Sequence, residues 1–420
     1  VSRLKYLLAF FVFNFSCSQG LTAQSFPATK SVIQQLCSKE MAGRGYVQNG
    51  VNLAATYLSQ KFNSLKLIPF SKRTYLQPYT FDIITHPEPA YCALDGTPLL
   101  QGKDYILDCA SPGKQGKFKL IHFTPSDTLE RDLLFLKIRK GFSANEALVL
   151  HKTSKRKANL LDSCRKYNHF PAIFIFTEEK KMTHSLARVL DEFSSLIVMD
   201  SVIKQKDQIE IRFNHKLITN FESKNVAGYL KSKKSDSFIV FTAHYDHLGM
   251  QGNAIFPGAS DNASGTAMVL YLAEHFAKIK LKCNIAFILF SGEEAGLMGS
   301  AYFTENPLFD LKKIKMVINL DIMGNAEHGI TVVNGEVLKD RFDKLKKINS
   351  TYNYLPEVKP RGASRNSDHV HFADLGIPAF FIYTNGGQGY YHDVFDTAEN
   401  LGLTNFEALA KLLIHFASSL

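Results

Sequence analysis

Histidines and carboxylates stand together at five places in the second half of the chain. They are His244-Tyr-Asp246-His247, Asp261 within Ala259-Ser-Asp-Asn-Ala-Ser-Gly265, Glu293-Glu294, Asp321, and His392 after Tyr390-Tyr391. Singly, each has an ordinary explanation. A histidine at a strand end is usually a hydrogen-bonded surface residue, Asp261 ahead of a helix is an N-cap candidate, and adjacent glutamates are usually solvated. Together they offer two imidazoles and three carboxylates with no thiolate, a donor set that suits zinc-like metals. One ion needs only three or four such groups, so two ions sharing one carboxylate account for the set better. Ions paired about 3.5–4 Å apart can generate hydroxide and clamp a developing oxyanion, which is hydrolytic chemistry.

The surrounding elements must bring these groups to one place. Phe238–Ala243, Ile285–Phe290, Met316–Leu320 and Ala379–Tyr383 are short, unbroken apolar runs, and Gly265–Lys278 and a stretch near 295–304 read as helices. Unbroken apolar strands alternating with helices imply a mostly parallel sheet covered on both faces. In such sheets reactive groups collect beyond the carboxyl ends of the strands, where four of the five segments fall; the fifth, with Asp261, precedes a helix. Charges gathered there would repel one another unless a cation held them. Residues 25–65 carry apolar positions at helical spacing, and 85–215 alternates short apolar runs with basic and Gly/Pro turns. The expected fold class is therefore α/β, a mostly parallel mixed sheet flanked by helices, with an inserted smaller α/β or β-rich domain.

Composition agrees with a folded protein. The chain has 420 residues, 45% of them hydrophobic and 21% charged, enough for two or three domains. Of the net charge of +10, residues 101–215 supply +6, from 20 Lys+Arg against 14 Asp+Glu. The basic cluster Lys152–Lys157 reads as a solvated face, because no nucleic-acid motif accompanies it. Residues 1–23 have the pattern of a signal peptide: Arg3 and Lys5, an apolar run from Tyr6 to Phe15, and a small residue at Ala23. The expected destination is periplasmic or extracellular. Lipid anchoring at Cys17 is the alternative, and Asn14-Phe15-Ser16 is a poor approach to it. No other apolar run reaches ~18 residues, so no stable membrane insertion is expected. The cysteines lack CxxC spacing; a bridge within 92–164 and buried free thiols are equally open.

His244-x-Asp246, Gly258-Ala-Ser-Asp261-Asn-Ala-Ser-Gly265, Gly292-Glu293-Glu294-Ala-Gly296, Asn319-Leu-Asp321 and Tyr391-His392 resemble the zinc aminopeptidase family M28, as does Glu40-Met-Ala-Gly-Arg-Gly45. The resemblance covers roughly residues 30–70 and 222–420, and 85–215 resembles a protease-associated insert. It implies a division into a signal peptide (1–23), an N-terminal part of the peptidase domain (24–84), the insert (85–215) and the catalytic domain (216–420). It also implies two zinc ions per chain. Asp261 would bridge them, His244 and Asp321 would complete one site, and Glu294 and His392 the other. Glu293 would be the general base and Tyr391 an oxyanion donor. Asp246 would orient His244 through its carboxylate, and Asp368 in Ser367-Asp-His369 would lie near the substrate pocket.

The activity so implied is removal of N-terminal residues from peptides with a free amine, with no nucleic-acid partner. The sequence sets no oligomeric state. Phe380, Phe381, Tyr383 and Tyr390 are candidates for a pocket favouring apolar or aromatic first residues, and the first three fit a sheet core as well. Glutaminyl cyclases share the fold and most ligands but surround the substrate with Trp, which this chain lacks. Carboxypeptidase relatives share the ligands, and a non-catalytic binding module would be expected to have lost them.

Overall fold

The computed structural model describes residues 26–71, 73–124, 128–151 and 157–420. The segment 1–23 and most of the basic cluster 152–157 lie outside the described residues. Phe238–His244 (β1) is built from β-branched, aromatic and small residues, and every one of them is buried. The same holds for Asn284–Phe290 (β2), while Ile314–Leu320 (β3) and Ala379–Thr384 (β4) are buried at all but one position each. These strands lie parallel in the order β2-β1-β3-β4, with Phe238 opposite Asn284, Ile239 opposite Met316 and Val317 opposite Ala379. Their carboxyl ends therefore share one edge.

Antiparallel strands flank this parallel centre. Lys216–Leu230 pairs with β2 and Ile330–Val333 with β4 within a nine-stranded sheet. Alternation along β1 sends Ile239, Phe241 and Ala243 into one apolar cluster and Phe238 and Val240 into another. The first cluster includes residues of the helices Gly50–Ser64, Ser264–Ala277 (α1) and Phe406–Ser419; the second includes Phe303 and Phe372. A sheet covered on both faces explains why the strands read as continuous apolar runs rather than alternating ones.

A second, eight-stranded sheet is formed by strands between Tyr91 and Phe213. Its strands Lys114–Phe123, Glu146–Leu150, Ile173–Glu178 and Ser195–Met199 are parallel. The helices Thr128–Lys140 and Lys157–Tyr167 share an apolar cluster with Leu148, Leu150, Phe174 and Phe176. The chain enters and leaves this unit through the antiparallel pair Leu76–Thr85 and Lys216–Leu230. Cys37, Cys92, Cys109, Cys164 and Cys283 are free thiols. Among the described residues no helix is long and apolar enough to cross a membrane.

The segment Glu40–Gly45 locks the edge that carries the site. Arg44 is fully buried, and its guanidinium donates to four main-chain oxygens: Leu36 at 2.9 Å, Tyr245 at 2.7 Å, Pro257 at 2.6 Å and Gly258 at 2.7 Å. Gly45 packs so tightly against Gly249 that an added Cβ would lie 2.4 Å from the Gly249 Cα. Arg44→Met keeps the length of the side chain but withdraws its donors from all four oxygens. At ~1–3 kcal/mol per unsatisfied buried group, the variant should lose about 3 kcal/mol or more of unfolding free energy, measured as a fall in the urea midpoint.

Candidate metal centre

His244 is the last residue of β1, so its side chain stands at the shared carboxyl edge. Its Nε2 lies 3.2 Å from Asp261 Oδ1 and 3.2 Å from Asp321 Oδ1. The other oxygen of Asp261 lies 3.2 Å from His392 Nε2, which in turn is 3.1 Å from Glu294 Oε2. Asp261 thus stands between two donor groups and turns one oxygen to each. One nitrogen or oxygen atom from each of His244, Asp261 and Glu294 lies within 4.8 Å of the others, and the same holds for His244, Asp321 and Glu293, the residue expected as base. All five residues expected as ligands, and Glu293, are brought together.

The loop carrying Asp261 is welded to the end of β3. Asn262 Nδ2 donates to the Leu320 carbonyl, and its Oδ1 accepts from the Gly265 and Ile322 N–H groups. A Cβ on Gly265 would lie 2.2 Å from that Oδ1, so only glycine fits. Asp396 accepts the N–H groups of Ser260 (2.8 Å) and Asp261 (3.1 Å). Asp321 is held by the Ser367 hydroxyl at 3.2 Å, which accepts from Asn319, which accepts from Thr242.

The Asp246 carboxylate, expected to orient His244, makes its hydrogen bonds elsewhere. His244 Nδ1 is 3.2 Å from the Asp246 main-chain oxygen and 3.8 Å from its carboxylate. That carboxylate is instead occupied by the N–H groups of Glu293 (3.2 Å) and Glu294 (3.4 Å) and the Tyr46 hydroxyl (2.9 Å). Asp246 therefore ties the β1 end to the β2 end. Tyr391 is 46% exposed and stacks on His392 at 3.8 Å, while its phenol is pushed up first by desolvation and then by the carboxylates of Asp261, Glu294 and Asp321. Asp368 is fully buried, and burial pushes its carboxyl up to about 7. Phe380 and Phe381 are core residues, and Tyr383 accepts from Arg361. Only Tyr390 of the four pocket candidates lines the cleft beside Asp261, together with Ile322, Asn325, Thr384 and Leu401.

Three contributors were given no role from the sequence. His247, fully buried, contacts Glu294 Oε1 through Nδ1 at 2.7 Å. Its place three residues after His244 in a polar turn was the available signal. Asp396 and His184 carried none. The His184 main-chain oxygen, from the second sheet's unit, lies 3.0 Å from His392 Nδ1.

The electrostatics favour a cation. Burial and the facing carboxylates of Glu294, Asp368 and Asp321 raise Glu293 well above its ordinary value. Against desolvation, Glu294 and Asp261 raise His392 to about 11. Among the described residues no Lys or Arg forms an ion pair with Asp246, Asp261, Glu293, Glu294, Asp321 or Asp368. Six carboxylates face three imidazoles with no fixed positive charge, so nitrogen and oxygen donors at this spacing fit zinc.

Residues 225–417 match the model of peptidase family M28. The chain is 30% identical over 226 residues to aminopeptidase YwaD of Bacillus subtilis, covering 49% of this chain and 46% of that protein. It is 26% identical over 280 residues to aminopeptidase Y of Saccharomyces cerevisiae, covering 59% and 50%. The chain thus spans about half the length of these curated relatives. In fold it is similar to a zinc aminopeptidase from Bacillus subtilis, with a TM-score of 0.71 at 18% identity over 93% of this chain and 94% of that one. It is also similar to an aminopeptidase from an Aneurinibacillus strain, with a TM-score of 0.63 at 20% identity over 93% and 92%.

Proposed function

We propose, from the match of residues 225–417 to the model of peptidase family M28, that the protein is an exported di-zinc aminopeptidase acting on peptides with a free N-terminus. The observation that carries this reading is the placement of Asp261, whose two oxygens each lie 3.2 Å from a different imidazole. His244, Asp261 and Asp321 would hold one zinc; Asp261, Glu294 and His392 would hold the other. Zinc bound there supplies Lewis acidity that polarises a carbonyl and acidifies water.

The chain's own groups carry the rest. Glu293 takes a proton from the attacking water and delivers it to the departing amine, a role suited to a carboxylate raised by its surroundings. The Tyr391 phenol donates to the oxyanion that forms at the carbonyl. The cleft beside Asp261 takes the first side chain, and the acids around it hold the free amine. The charged-then-apolar pattern of residues 1–23 supports export. We assign 24–84 and 216–420 to the peptidase domain and 85–215 to an insert, in keeping with the second sheet formed there.

The test compares Leu-amide, an N-acetylated peptide and a Gln-initiated peptide by mass spectrometry. The expected result is loss of the first residue from the free-amine substrates and none from the blocked one. Ammonia loss from an intact Gln peptide without residue release would make the protein a cyclase instead, although no Trp is present to wall off water.

A further inference from the structure

We propose that the segment Lys181–Leu186 of the second sheet's unit is part of the metal centre: it fixes the His392 imidazole and so sets how tightly one of the two ions is held. This rests on the reading of His392 as a zinc ligand. After the strand Ile173–Glu178 the chain crosses to the loop that carries His392. There the His184 N–H donates to the His392 carbonyl at 3.1 Å, and His392 Nδ1 donates to the His184 carbonyl at 3.0 Å. Two bonds thus bracket one residue with another. Lys181 adds a bond from Nζ to the Gly389 carbonyl at 2.8 Å and sits 5.8 Å over the Tyr391 ring.

The strap is itself anchored. Gln251 Nε2 donates to His184 Nδ1 at 3.2 Å and to the Leu107 carbonyl at 2.8 Å, while Gln251 Oε1 accepts the Leu107 N–H at 3.0 Å. The His184 ring lies 4.7 Å from Phe256, and Met182 packs in a cluster with Ile106, Leu248 and Phe256. On its far side the Ala187 carbonyl accepts the Ile84 N–H at 2.9 Å.

An imidazole whose Nδ1–H is committed to a carbonyl presents a single tautomer and one ring orientation, with the Nε2 lone pair directed at the metal. The two donor groups obtain this in different ways. His244 has its Nδ1 partner two residues along its own loop, at the Asp246 carbonyl. His392 borrows its partner from the second unit. The Nδ1 partner of His244 therefore lies within residues 216–420, and that of His392 does not. His184 is a positioning residue: it touches neither substrate nor metal.

The test replaces residues 181–186 with a Gly/Ser segment of equal length and, separately, makes His184→Pro, which removes the N–H of the bracket. Zinc affinity is measured by competition with a chromophoric chelator, and circular dichroism checks the fold. The expected result is one ion held as tightly as in the unsubstituted protein and the other weakened ~10–100-fold, as when a ligand loses its hydrogen-bond partner, because without the anchored side chains or the bracket N–H the residue-184 carbonyl is no longer held against His392 Nδ1. Two ions held with unchanged affinity in a folded variant would overturn the inference. A second readout needs no folded variant. In zinc-loaded, 15N-histidine-labelled protein, the His392 Nδ1–H should exchange slowly with solvent; exchange as fast as that of an exposed imidazole would also overturn it. If the unsubstituted protein binds no zinc, the metal reading fails instead, so the two failures are distinguishable.

Discussion

Stripping the protein with a strong chelator should abolish residue release from Leu-amide, and zinc should restore it. The expected drop is roughly 10³-fold or more, because Lewis-acid stabilisation of a transition state is worth several kcal/mol and each ~1.4 kcal/mol is tenfold in rate. The fold should survive, since the apolar clusters on both faces of the sheet do not involve the donor residues. Its carboxyl edge should loosen, because the six carboxylates around His244 and His392 would face one another with no Lys or Arg ion-paired to them. A circular dichroism spectrum retained while activity disappears and returns is the expected pattern. Undiminished hydrolysis in protein shown to be metal-free would contradict it.

Glu293→Gln should lower kcat by ~10²–10⁴-fold, the usual range for loss of a general base. Zinc content should stay near that of the unsubstituted protein, because the bonds that position residue 293 run from its N–H to Asp246 and are untouched. Glu294→Gln should behave differently. Glu294 lies 3.1 Å from His392 Nε2 and is steadied by His247, so losing its charge should lower zinc occupancy. The pair is measured by metal analysis beside steady-state kinetics. Equal losses of zinc in the two variants would show that base and ligand have been wrongly separated.

Much of the nine-stranded sheet was legible because burial on both faces leaves a strong trace. β1 reads as an unbroken apolar run ending in His244, and the polar groups follow directly where the run stops. The loop from Ala259 to Gly265 was legible for a similar reason: Asn262 and Gly265 each meet a steric or hydrogen-bonding demand that few other residues satisfy. What escaped were contacts made to main chain. Arg44 binds four carbonyl oxygens from residues far apart in sequence, and a carbonyl leaves no mark in residue type. The same is true of His184, whose contribution to His392 is its peptide oxygen. That contact brings main chain of the 85–215 segment to the site. Phe380 and Phe381 show the opposite limit, since an aromatic pair within a buried strand has the same composition whether it lines a pocket or fills a core.

Titrating metal-free protein with zinc shows whether Asp261 would bridge a pair of ions. Bound metal and Leu-amide hydrolysis are followed in the same samples. Activity should rise until about two zinc ions are bound per chain and then level off, in keeping with an Asp261 that offers one oxygen to each donor group. Full activity reached reproducibly with one ion per chain would contradict it.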